Sequence, residues 1–375
     1  MKTPYLILVA TIIGTLVSWC KAPGKALAGE LCGEADRRES EVEYCGKGGA
    51  SFGRGAEDGG MSERVELVMG TLARVAVALG DDRAAAFETA FAAFRAVDAA
   101  MSLYRPESEL SRLNAHAAMH AEPVGADLFT LLVRARELSV ETDGAFDVTV
   151  LPLLRAFGAY PELSHLGAPD LIAVGFGGLQ LDVGARAVRF GRAGMGLDLG
   201  GVAKGFALDR ARLALAGAGV ARARLDLGGN LAFVGEGPGG EWRIAVRDPG
   251  SPERALGVLS LESGSAVATS ANYARDFAAE GWRAPSHVYD PRSWQPVRGA
   301  LAVTVWAPDA TTADALSTGF LVLGREGADA VLAREPEVGA LFVEGTGRAR
   351  RVTLCGRAPD AWNEVEPGPS AVLLE

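Results

Sequence analysis

The fold class follows from the stretch Val65-Glu-Leu-Val-Met-Gly-Thr-Leu-Ala-Arg-Val-Ala-Val-Ala-Leu79. Every second position in it, counted from Val65, carries an apolar side chain or a threonine. An alternation of this kind is typical of a β-strand with one face buried. We therefore predict one long, half-buried strand between Val65 and Leu79.

Two amphipathic helices are predicted after this strand. In the first, which Asp81-Asp82 would cap, the apolar residues at helical spacing are Phe87, Phe91, Phe94, Val97 and Met101. In the second, which stops at Asp143-Gly144, they are Leu128, Leu131, Leu132, Ala135 and Leu138. We interpret both stripes as core rather than as cofactor contacts.

The second half of the chain is dominated by strand-like segments. Short alternating runs between Leu179 and Asp198 predict hairpins, and Leu225 to Val234 with Trp242 to Val246 predicts another across the glycine-rich loop 235–240. Further segments are Val258 to Leu261, Ala266 to Thr269, Ala302 to Trp306 and Ala340 to Val343. Because helices are few and strands come in pairs, the pattern predicts an α+β fold of antiparallel sheets packed with helices.

Length and charge limit the classes of function. The chain has 375 residues and a net charge of -10, and no dense run of Lys or Arg. Phosphate-backbone binding needs a concentrated basic face, so nucleic acid is excluded as the main partner. A small anionic ligand would need a local cation or a metal.

The first residues resemble an export signal. Lys2 precedes an apolar or neutral run from Tyr5 to Trp19, and Ala26-Leu-Ala28 offers a small-residue cleavage site. We predict a signal peptide or membrane anchor over 1–28, a flexible linker over 29–60 and a single domain over 61–375, with an exported, periplasmic or cell-envelope location. Residues 5–19 could serve as the inner-membrane anchor; lipidation at Cys20 is a weaker alternative, and pairing of Cys32 with Cys45 stays open.

Asp314 and Thr318 form the first candidate site. They are four residues apart in an apolar helical segment entered through Thr311-Thr312, so their oxygens share one helix face. One carboxylate and one hydroxyl make half of a magnesium site. Taken alone, the pair is more typical of an exposed Asp and a Thr bonded to its own helix.

The second candidate is Gly196-Leu-Asp198-Leu-Gly-Gly201-Val-Ala-Lys204-Gly205, which predicts a strand, a glycine turn and a helix start. Free N–H groups at a helix N-terminus and the charge of Lys204 suit a diphosphate. The alternative is a plain strand-to-helix turn with Lys204 in solvent. A similar Asp226-Leu-Gly-Gly-Asn230 is more simply a bulge or tight turn.

Two further residues could take part in chemistry. Asp147 could accept hydrogen bonds from an adenine or ribose, or cap the helix that begins near Pro152. Of the four histidines, His287 precedes a strand that ends at Asp290-Pro291, whereas the others stand in polar, loop-like sequence. An imidazole can remove a proton from an attacking hydroxyl, so His287 is the best candidate for a general base.

Taken together and in this order, these motifs resemble the ApbE family of FAD:protein FMN transferases, over about Met61 to Val343. The matching motifs are Met69-Gly-Thr71; Met101-Ser-Leu-Tyr104 with Ser108-Glu-Leu-Ser-Arg-Leu-Asn114; Asp143-Gly-Ala-Phe-Asp147-Val-Thr149; Asp198 to Gly205 with Asp209; Asp226 to Asn230; Ala268-Thr-Ser270; His287 with Asp290-Pro291; and Val303-Thr-Val305 with Asp314 to Thr318.

The resemblance implies a function, a fold and a set of site residues. It implies Mg2+-dependent transfer of FMN from FAD to a Thr or Ser of an acceptor protein, with loss of AMP, on a T-fold-related α+β architecture. The acceptor would be a membrane or periplasmic redox subunit. The implied FAD contacts are Met69, Tyr104, Ala145, Phe146, Asp147, Asp198, Lys204, His287 and Tyr289. The implied metal ligands are Gly201 through its backbone oxygen, Asp314, Ser317 and Thr318. Catalysis would fall to His287, Lys204 and Asp314.

The chain departs from the family pattern at two glycine positions. Ala271 follows Thr-Ser, and Trp294 stands two residues after the Pro-Arg pair of the histidine motif, at a position where we expect positive φ. Two alternative functions stay open. One is an FAD pyrophosphatase that uses water as acceptor, an activity also known in the family that the chain resembles. The other, which Trp294 keeps open, is a non-catalytic FAD-binding envelope protein.

Overall fold

The computed structural model describes residues 60–78, 82–272, 288–345, 350–363 and 372–373. These residues belong to one compact unit, Arg54–Glu375. The predicted signal or anchor, nearly all of the predicted linker, and His287 lie outside the described residues. None of the helices in the described part of the chain is long and apolar enough to cross a membrane.

The described residues contain six α-helices, seventeen strands and five short 3-10 helices. The helices are α1 (Arg83–Met101), α2 (Glu109–His116), α3 (Ala126–Glu141), α4 (Leu151–Ala156), α5 (Ala203–Gly217) and α6 (Ala310–Leu332). The strands are β1 (Met61–Val68), β2 (Thr71–Ala78), β3 (Glu122–Pro123), β4 (Leu179–Asp182), β5 (Ala187–Phe190), β6 (Ala223–Leu227), β7 (Asn230–Val234), β8 (Trp242–Asp248), β9 (Ser251–Leu261), β10 (Ala266–Ala271), β11 (Tyr289–Asp290), β12 (Gln295–Pro296), β13 (Ala300–Ala307), β14 (Gly339–Glu344), β15 (Arg351–Gly356), β16 (Ala361–Asn363) and β17 (Val372–Leu373).

An antiparallel sheet of eight strands forms the centre of the fold. Its order is β1-β2-β6-β7-β10-β13-β14-β15, and every neighbouring pair in it is antiparallel. Helices α1, α5 and α6 pack on one face. The prediction of an α+β fold with antiparallel sheets is confirmed.

A second sheet, β16-β9-β8-β17, covers part of the other face. Alternate side chains of β7 point to the two faces of the eight-stranded sheet, and each face packs against a different core. Ala232 and Val234 belong to the core under the helices, whereas Leu231 and Phe233 pack with Trp242 of β8 in the core between the sheets. The period of two along a strand therefore gives β7 a buried side chain at every position.

The two predicted helical stripes are confirmed as core. Asp82 caps α1 by accepting from the Ala85 N–H, as predicted for an N-cap aspartate. The apolar positions named for α1 and α3 are all buried.

The prediction of one long strand from Val65 to Leu79 is wrong, because the stretch is a hairpin. Met69 and Gly70 have φ of 53° and 72°, as two-residue type I′ turns require, and Leu67 pairs with Leu72. The turn sets odd positions of β1 opposite even positions of β2. Val65 and Leu67 consequently lie on the exposed face, 47% and 46% accessible.

Two other local predictions are also wrong. The hairpin predicted across the glycine-rich loop 235–240 does not form. The strands that pair are β6 and β7, across Gly228 and Gly229, whereas β8 belongs to the second sheet. The Gly229 N–H donates to Asp226 Oδ1, which confirms the tight turn predicted there. The residues before Gly200 form no strand either, because the Asn114 side chain, rather than a neighbouring strand, bonds both backbone groups of Leu197.

Candidate active site

Helix α6 begins at a point fixed by two aspartates. Asp209, on α5, accepts the N–H groups of Ala310 and Thr311 at 2.9 and 2.8 Å. Asp309 accepts the N–H of Thr312 at 2.7 Å. These bonds satisfy donors that a helix start leaves free. The first two turns of α6, with their polar side chains, are thereby held against α5.

The start of α5 is shaped by Asp198. Its Oδ1 accepts the Gly200 N–H at 2.7 Å, and its own N–H donates to the Val148 carbonyl. The glycine turn leads into α5, and Lys204 is the second residue of that helix. Lys204 donates to the Gly200 carbonyl at 3.3 Å, so the ammonium group stays beside the turn.

Lys204 and Asp314 meet where α5 packs against the start of α6. Lys204 Nζ is 3.4 Å from Asp314 Oδ1, and the Gly205 N–H donates to Asp314 Oδ2 at 2.9 Å. The Asp314 residue is only 3% exposed. A buried carboxylate needs such partners, and the solvated aspartate considered in the sequence analysis is excluded.

A cluster of hydroxyl groups lies beside this carboxylate. Ser270, at the end of β10, has its Oγ 2.8 Å from Ser317 Oγ and 3.1 Å from Thr318 Oγ1. The Ser317 hydroxyl also donates to the Asp314 carbonyl. A Cβ added to Gly201 would lie 3.3 Å from Thr318 Oγ1, so the glycine backbone approaches the cluster closely.

These oxygens fit a magnesium ion in their chemistry. Mg2+ prefers hard oxygen ligands and keeps water or phosphate oxygens in its shell. The described residues contain no group of three or more His, Cys, Asp or Glu side chains that could hold a metal. The ligand set that the family resemblance implies contains one carboxylate, Asp314, and the neutral oxygens of Gly201, Ser317 and Thr318.

Ser270 is a site residue to which sequence reasoning gave no role. Ser270 belongs to the motif Ala268-Thr-Ser270, but its contact with α6 joins residues 47 and 48 positions apart. No local spacing signals such a contact. A serine at the end of a strand next to a hydrophobic run was the one available clue.

The loop that follows α3 brings Phe146 and Asp147 to the same region. A Cβ on Gly201 would lie 3.5 Å from the Phe146 ring, and one on Gly319 would lie 3.2 Å from Phe146 Cβ. Phe146 and its neighbour Ala145 are buried. The aromatic ring therefore packs between the glycine turn of α5 and helix α6.

Asp147 has its carboxylate fully engaged within the protein. Oδ1 accepts from the backbone and hydroxyl of Thr149, and Oδ2 accepts from the Phe176 N–H at 2.8 Å. Burial raises the pKa of Asp147, and these hydrogen bonds oppose the rise. The predicted cap of the helix near Pro152 is wrong in its position: Asp147 caps the 3-10 turn Val148–Val150, and α4, which follows, has Val150 as its N-cap residue and no side-chain cap.

Tyr160 is a second residue without a predicted role. Its hydroxyl donates to Asp198 Oδ2 at 2.6 Å, and its ring lies 5.7 Å from that of Tyr104. Burial raises the pKa of Asp198, while the bonds from Tyr160 and Gly200 and the charge of Lys204 lower it. The structure thus connects Tyr104 to the α5 turn through Tyr160.

Met69 and Tyr289 stand on elements outside the Asp314 cluster. Met69 is in the β1–β2 turn and packs against the core. Tyr289, on β11, stacks on Phe157 with ring centroids 4.3 Å apart. Among the residues that the structure describes, its buried hydroxyl has no hydrogen-bond partner. His287 precedes Tyr289 by two residues, outside the described part of the chain.

Trp294 occupies the left-handed backbone position expected of a glycine. Its φ is 60°, its N–H donates to the Asp290 carbonyl at 2.8 Å, and it is 37% exposed. The other departure, Ala271, is in β10 opposite Ala302, in extended backbone that alanine adopts without strain.

Replacing Trp294 with glycine is expected to change the free energy of unfolding by less than about 1 kcal/mol. Relief of a left-handed conformation gains about 1–2 kcal/mol, which offsets the lost ring contacts and the extra freedom of the unfolded chain. Trp306→Ala, at a fully buried tryptophan, should lose about 3–5 kcal/mol. Denaturant unfolding measures both, and equal losses would contradict the strain assigned to Trp294.

Comparisons with known proteins identify the family of the chain. The model of the ApbE family matches residues 69–342. The FAD:protein FMN transferase of Treponema pallidum is 33% identical over 311 residues, which cover 76% of this chain and 85% of the relative. That of Salmonella typhimurium is 34% identical over 294 residues, 74% of this chain and 83% of the relative.

Solved structures of ApbE proteins also resemble the chain. The ApbE protein of Thermotoga maritima superposes with a TM-score of 0.69 at 30% identity, covering 79% of this chain and 97% of its own. The apo form of the flavinyl transferase ApbE from Pseudomonas stutzeri gives 0.66 at 29% identity, with 79% and 94% covered.

Proposed function

The chain belongs to the ApbE family and is a flavin transferase that uses FAD, and on that premise we propose its chemistry. FMN is transferred from FAD to a threonine or serine hydroxyl of an acceptor protein, with Mg2+ bound and AMP released. The convergence of Lys204, Asp314 and Thr318 carries this proposal, because it sets a cation beside a metal-binding set of oxygens.

The start of α5 is the proposed diphosphate site. The N–H groups of Gly200, Val202, Ala203 and Gly205 are bonded within the protein, so the support for this site is the positive end of the helix dipole. The Lys204 ammonium adds to it, because it lies next to the Gly200 carbonyl of the same turn. Lys204 would bind a diphosphate oxygen and orient the phosphorus for attack. This is positioning and charge neutralisation rather than covalent catalysis.

Asp314, Thr318, the Gly201 backbone oxygen and the Ser317 position would hold the metal. Bound Mg2+ would neutralise negative charge that develops on the diphosphate during transfer. Asp314 also has a second role, because its Oδ2 accepts the Gly205 N–H and so ties the diphosphate turn to α6.

The transfer forms one bond and breaks one. The acceptor oxygen forms a bond to the phosphorus of the FMN half, the bond from that phosphorus to the bridging oxygen breaks, and AMP leaves. The proton of the acceptor hydroxyl must be removed, and we assign that step to His287.

One assay tests this function against its two alternatives. The purified protein is incubated with FAD, Mg2+ and a flavin-accepting protein, and two products are followed: flavin fluorescence that survives denaturing electrophoresis, and AMP. Both products mean transfer, AMP alone means hydrolysis by water, and neither means an FAD-binding protein. The second or third outcome would overturn the proposal.

We further propose that the protein works in the cell envelope on a membrane or periplasmic redox subunit. The apolar run from Tyr5 to Trp19 and the small residues Ala26-Leu-Ala28 support export. Fractionation of cells that make the full chain tests this, and recovery of the protein only with cytoplasmic markers would contradict it.

A further inference from the structure

Tyr160 adopts a backbone conformation that its side chain does not favour. Its φ and ψ are 56° and 53°, in the left-handed region. A bulky residue in this region is a genuine outlier, and such residues persist only where their surroundings hold them. The contacts of the Tyr160 side chain must therefore stabilise this strained backbone.

The hydroxyl of Tyr160 makes such a contact. It donates to Asp198 Oδ2 at 2.6 Å, while Asp198 Oδ1 accepts the Gly200 N–H at 2.7 Å. Asp198 is 7% exposed. Burial and the nearby Asp198 charge raise the pKa of Tyr160 well above its usual value, so the phenol remains a donor.

The Asp198 carboxylate in turn fixes the peptide beside Lys204. Gly200 donates to Asp198 through its N–H and accepts from Lys204 through its carbonyl at 3.3 Å. The contacts thus run without interruption from Tyr160 through Asp198 and Gly200 to Lys204. Loss of the Tyr160 hydroxyl would remove one hydrogen-bond donor from the Asp198 carboxylate. The carboxylate would then hold the Gly200 turn less firmly.

The ring of Tyr160 also lies against Tyr104, another residue predicted to bind FAD. Its centroid lies 5.7 Å from that of Tyr104, with the planes tilted by 56°. Tyr104 is 54% exposed, and Tyr160 packs against the hydrophobic core. Tyr160 therefore supports an exposed ring on one side and a buried carboxylate on the other.

We propose that Tyr160 is a positioning residue for FAD, which holds Asp198 and the Gly200 turn so that Lys204 faces the diphosphate. The inference rests on the proposed function, because it takes the start of α5 as the diphosphate site. Tyr160 acts through Asp198 and need not touch the reacting phosphorus.

Tyr160→Phe tests this role, because it keeps the ring and removes only the hydroxyl. The KM for FAD and the Kd for FAD, the latter from equilibrium titration without acceptor protein, are expected to rise about tenfold, because a hydrogen bond to a charged carboxylate is lost. A merely structural role would reduce the fraction of active enzyme, and so lower the maximal rate with KM unchanged. A KM and Kd within twofold of the wild-type values would overturn the proposal.

A matched control removes one buried hydroxyl elsewhere. Ser139 is fully buried in α3, where its hydroxyl donates only within the helix, to the Ala135 carbonyl. Ser139→Ala should leave the KM and Kd for FAD unchanged. A shift in this variant equal to that in Tyr160→Phe would also overturn the proposal, because it would show a general response to lost hydroxyls.

A double-mutant cycle with Asp198→Ala gives a second readout. In an Asp198→Ala background the Tyr160 hydroxyl has lost its carboxylate partner, so Tyr160→Phe should cause no further loss of FAD affinity. Additive losses would contradict a contact between the two side chains. If Tyr160→Phe does not fold, Tyr160→Gly, which suits the left-handed backbone, replaces it with the same expectation. Wild-type protein that binds FAD without transfer would refute the proposed function, while the Kd comparison would still decide the role of Tyr160.

Discussion

Replacing Asp314 with asparagine is expected to lower FMN transfer at least ~100-fold while the protein stays folded. The change removes the negative charge on which the proposed metal site depends, since Gly201, Ser317 and Thr318 supply neutral oxygens. It also removes the ion pair with Lys204, 3.4 Å away. A neutral amide is a poor ligand for Mg2+ in a site with one carboxylate.

Asparagine is a sharper probe than alanine because of the Gly205 bond. Asp314 Oδ2 accepts the Gly205 N–H at 2.9 Å in a buried setting, and an asparagine oxygen can keep that bond. Asp314→Ala would leave the N–H without its acceptor and cost about 1–3 kcal/mol of stability. Loss of activity in the alanine variant would therefore mix two effects.

The measurement is covalent flavin transfer as a function of Mg2+ concentration, with unfolding followed in parallel. Asp329→Asn is the matched control, since Asp329 is on the same helix and its half-exposed side chain pairs with Arg325. It should transfer at the wild-type rate. A folded Asp314→Asn variant with more than half of the wild-type activity would refute the metal assignment.

The sequence allowed one half of this site to be predicted, namely the half encoded within single helices. The spacing of four between Asp314 and Thr318 puts their oxygens on one face wherever a helix forms. The signal for Lys204 is also contained in a short segment, because the lysine directly follows a glycine turn at a helix start. Both segments are helical as expected, and only the structure joins them, through the Lys204–Asp314 ion pair.

The other half depends on tertiary contacts that no spacing reveals. Ser270 reaches α6 because β10 lies in the sheet under that helix. Tyr160 reaches Asp198 across 38 residues of sequence. The position of Ser270 at the end of a strand marks it only as a candidate, and the sequence around neither residue identifies its partner.

The failed prediction around Met69 has a different cause. A period of two in the sequence is unchanged by a two-residue turn, so alternation alone cannot tell a long strand from a hairpin. The Met69-Gly70 pair was the available signal, since Gly70 supplies one of the two positive φ angles. The core positions of β2 were predicted correctly, and those of β1 were on the wrong face.

Replacing Gly205 with alanine is expected to lower both stability and transfer. A Cβ at this position would lie 2.1 Å from the Ala310 carbonyl oxygen and 2.8 Å from Asp314 Cβ. The first contact is with backbone, which cannot rotate away, so α5 and α6 must separate. Overpacking of this kind costs about 1–3 kcal/mol.

The same separation would move Lys204 and the Gly205 N–H away from the Asp314 carboxylate, whose bonds to them are 3.4 and 2.9 Å long. A displacement of about 1 Å at a positioned catalytic group can cost ~100-fold in rate, and we expect a loss of that size. Gly217→Ala is the control, because Gly217 ends the same helix and a Cβ added there would meet no other element among the described residues within 4 Å. Denaturant unfolding and the transfer assay, run on both variants, decide the point. A Gly205→Ala protein as stable and as active as Gly217→Ala would mean that the close approach of α5 to α6 does not set the geometry of the site.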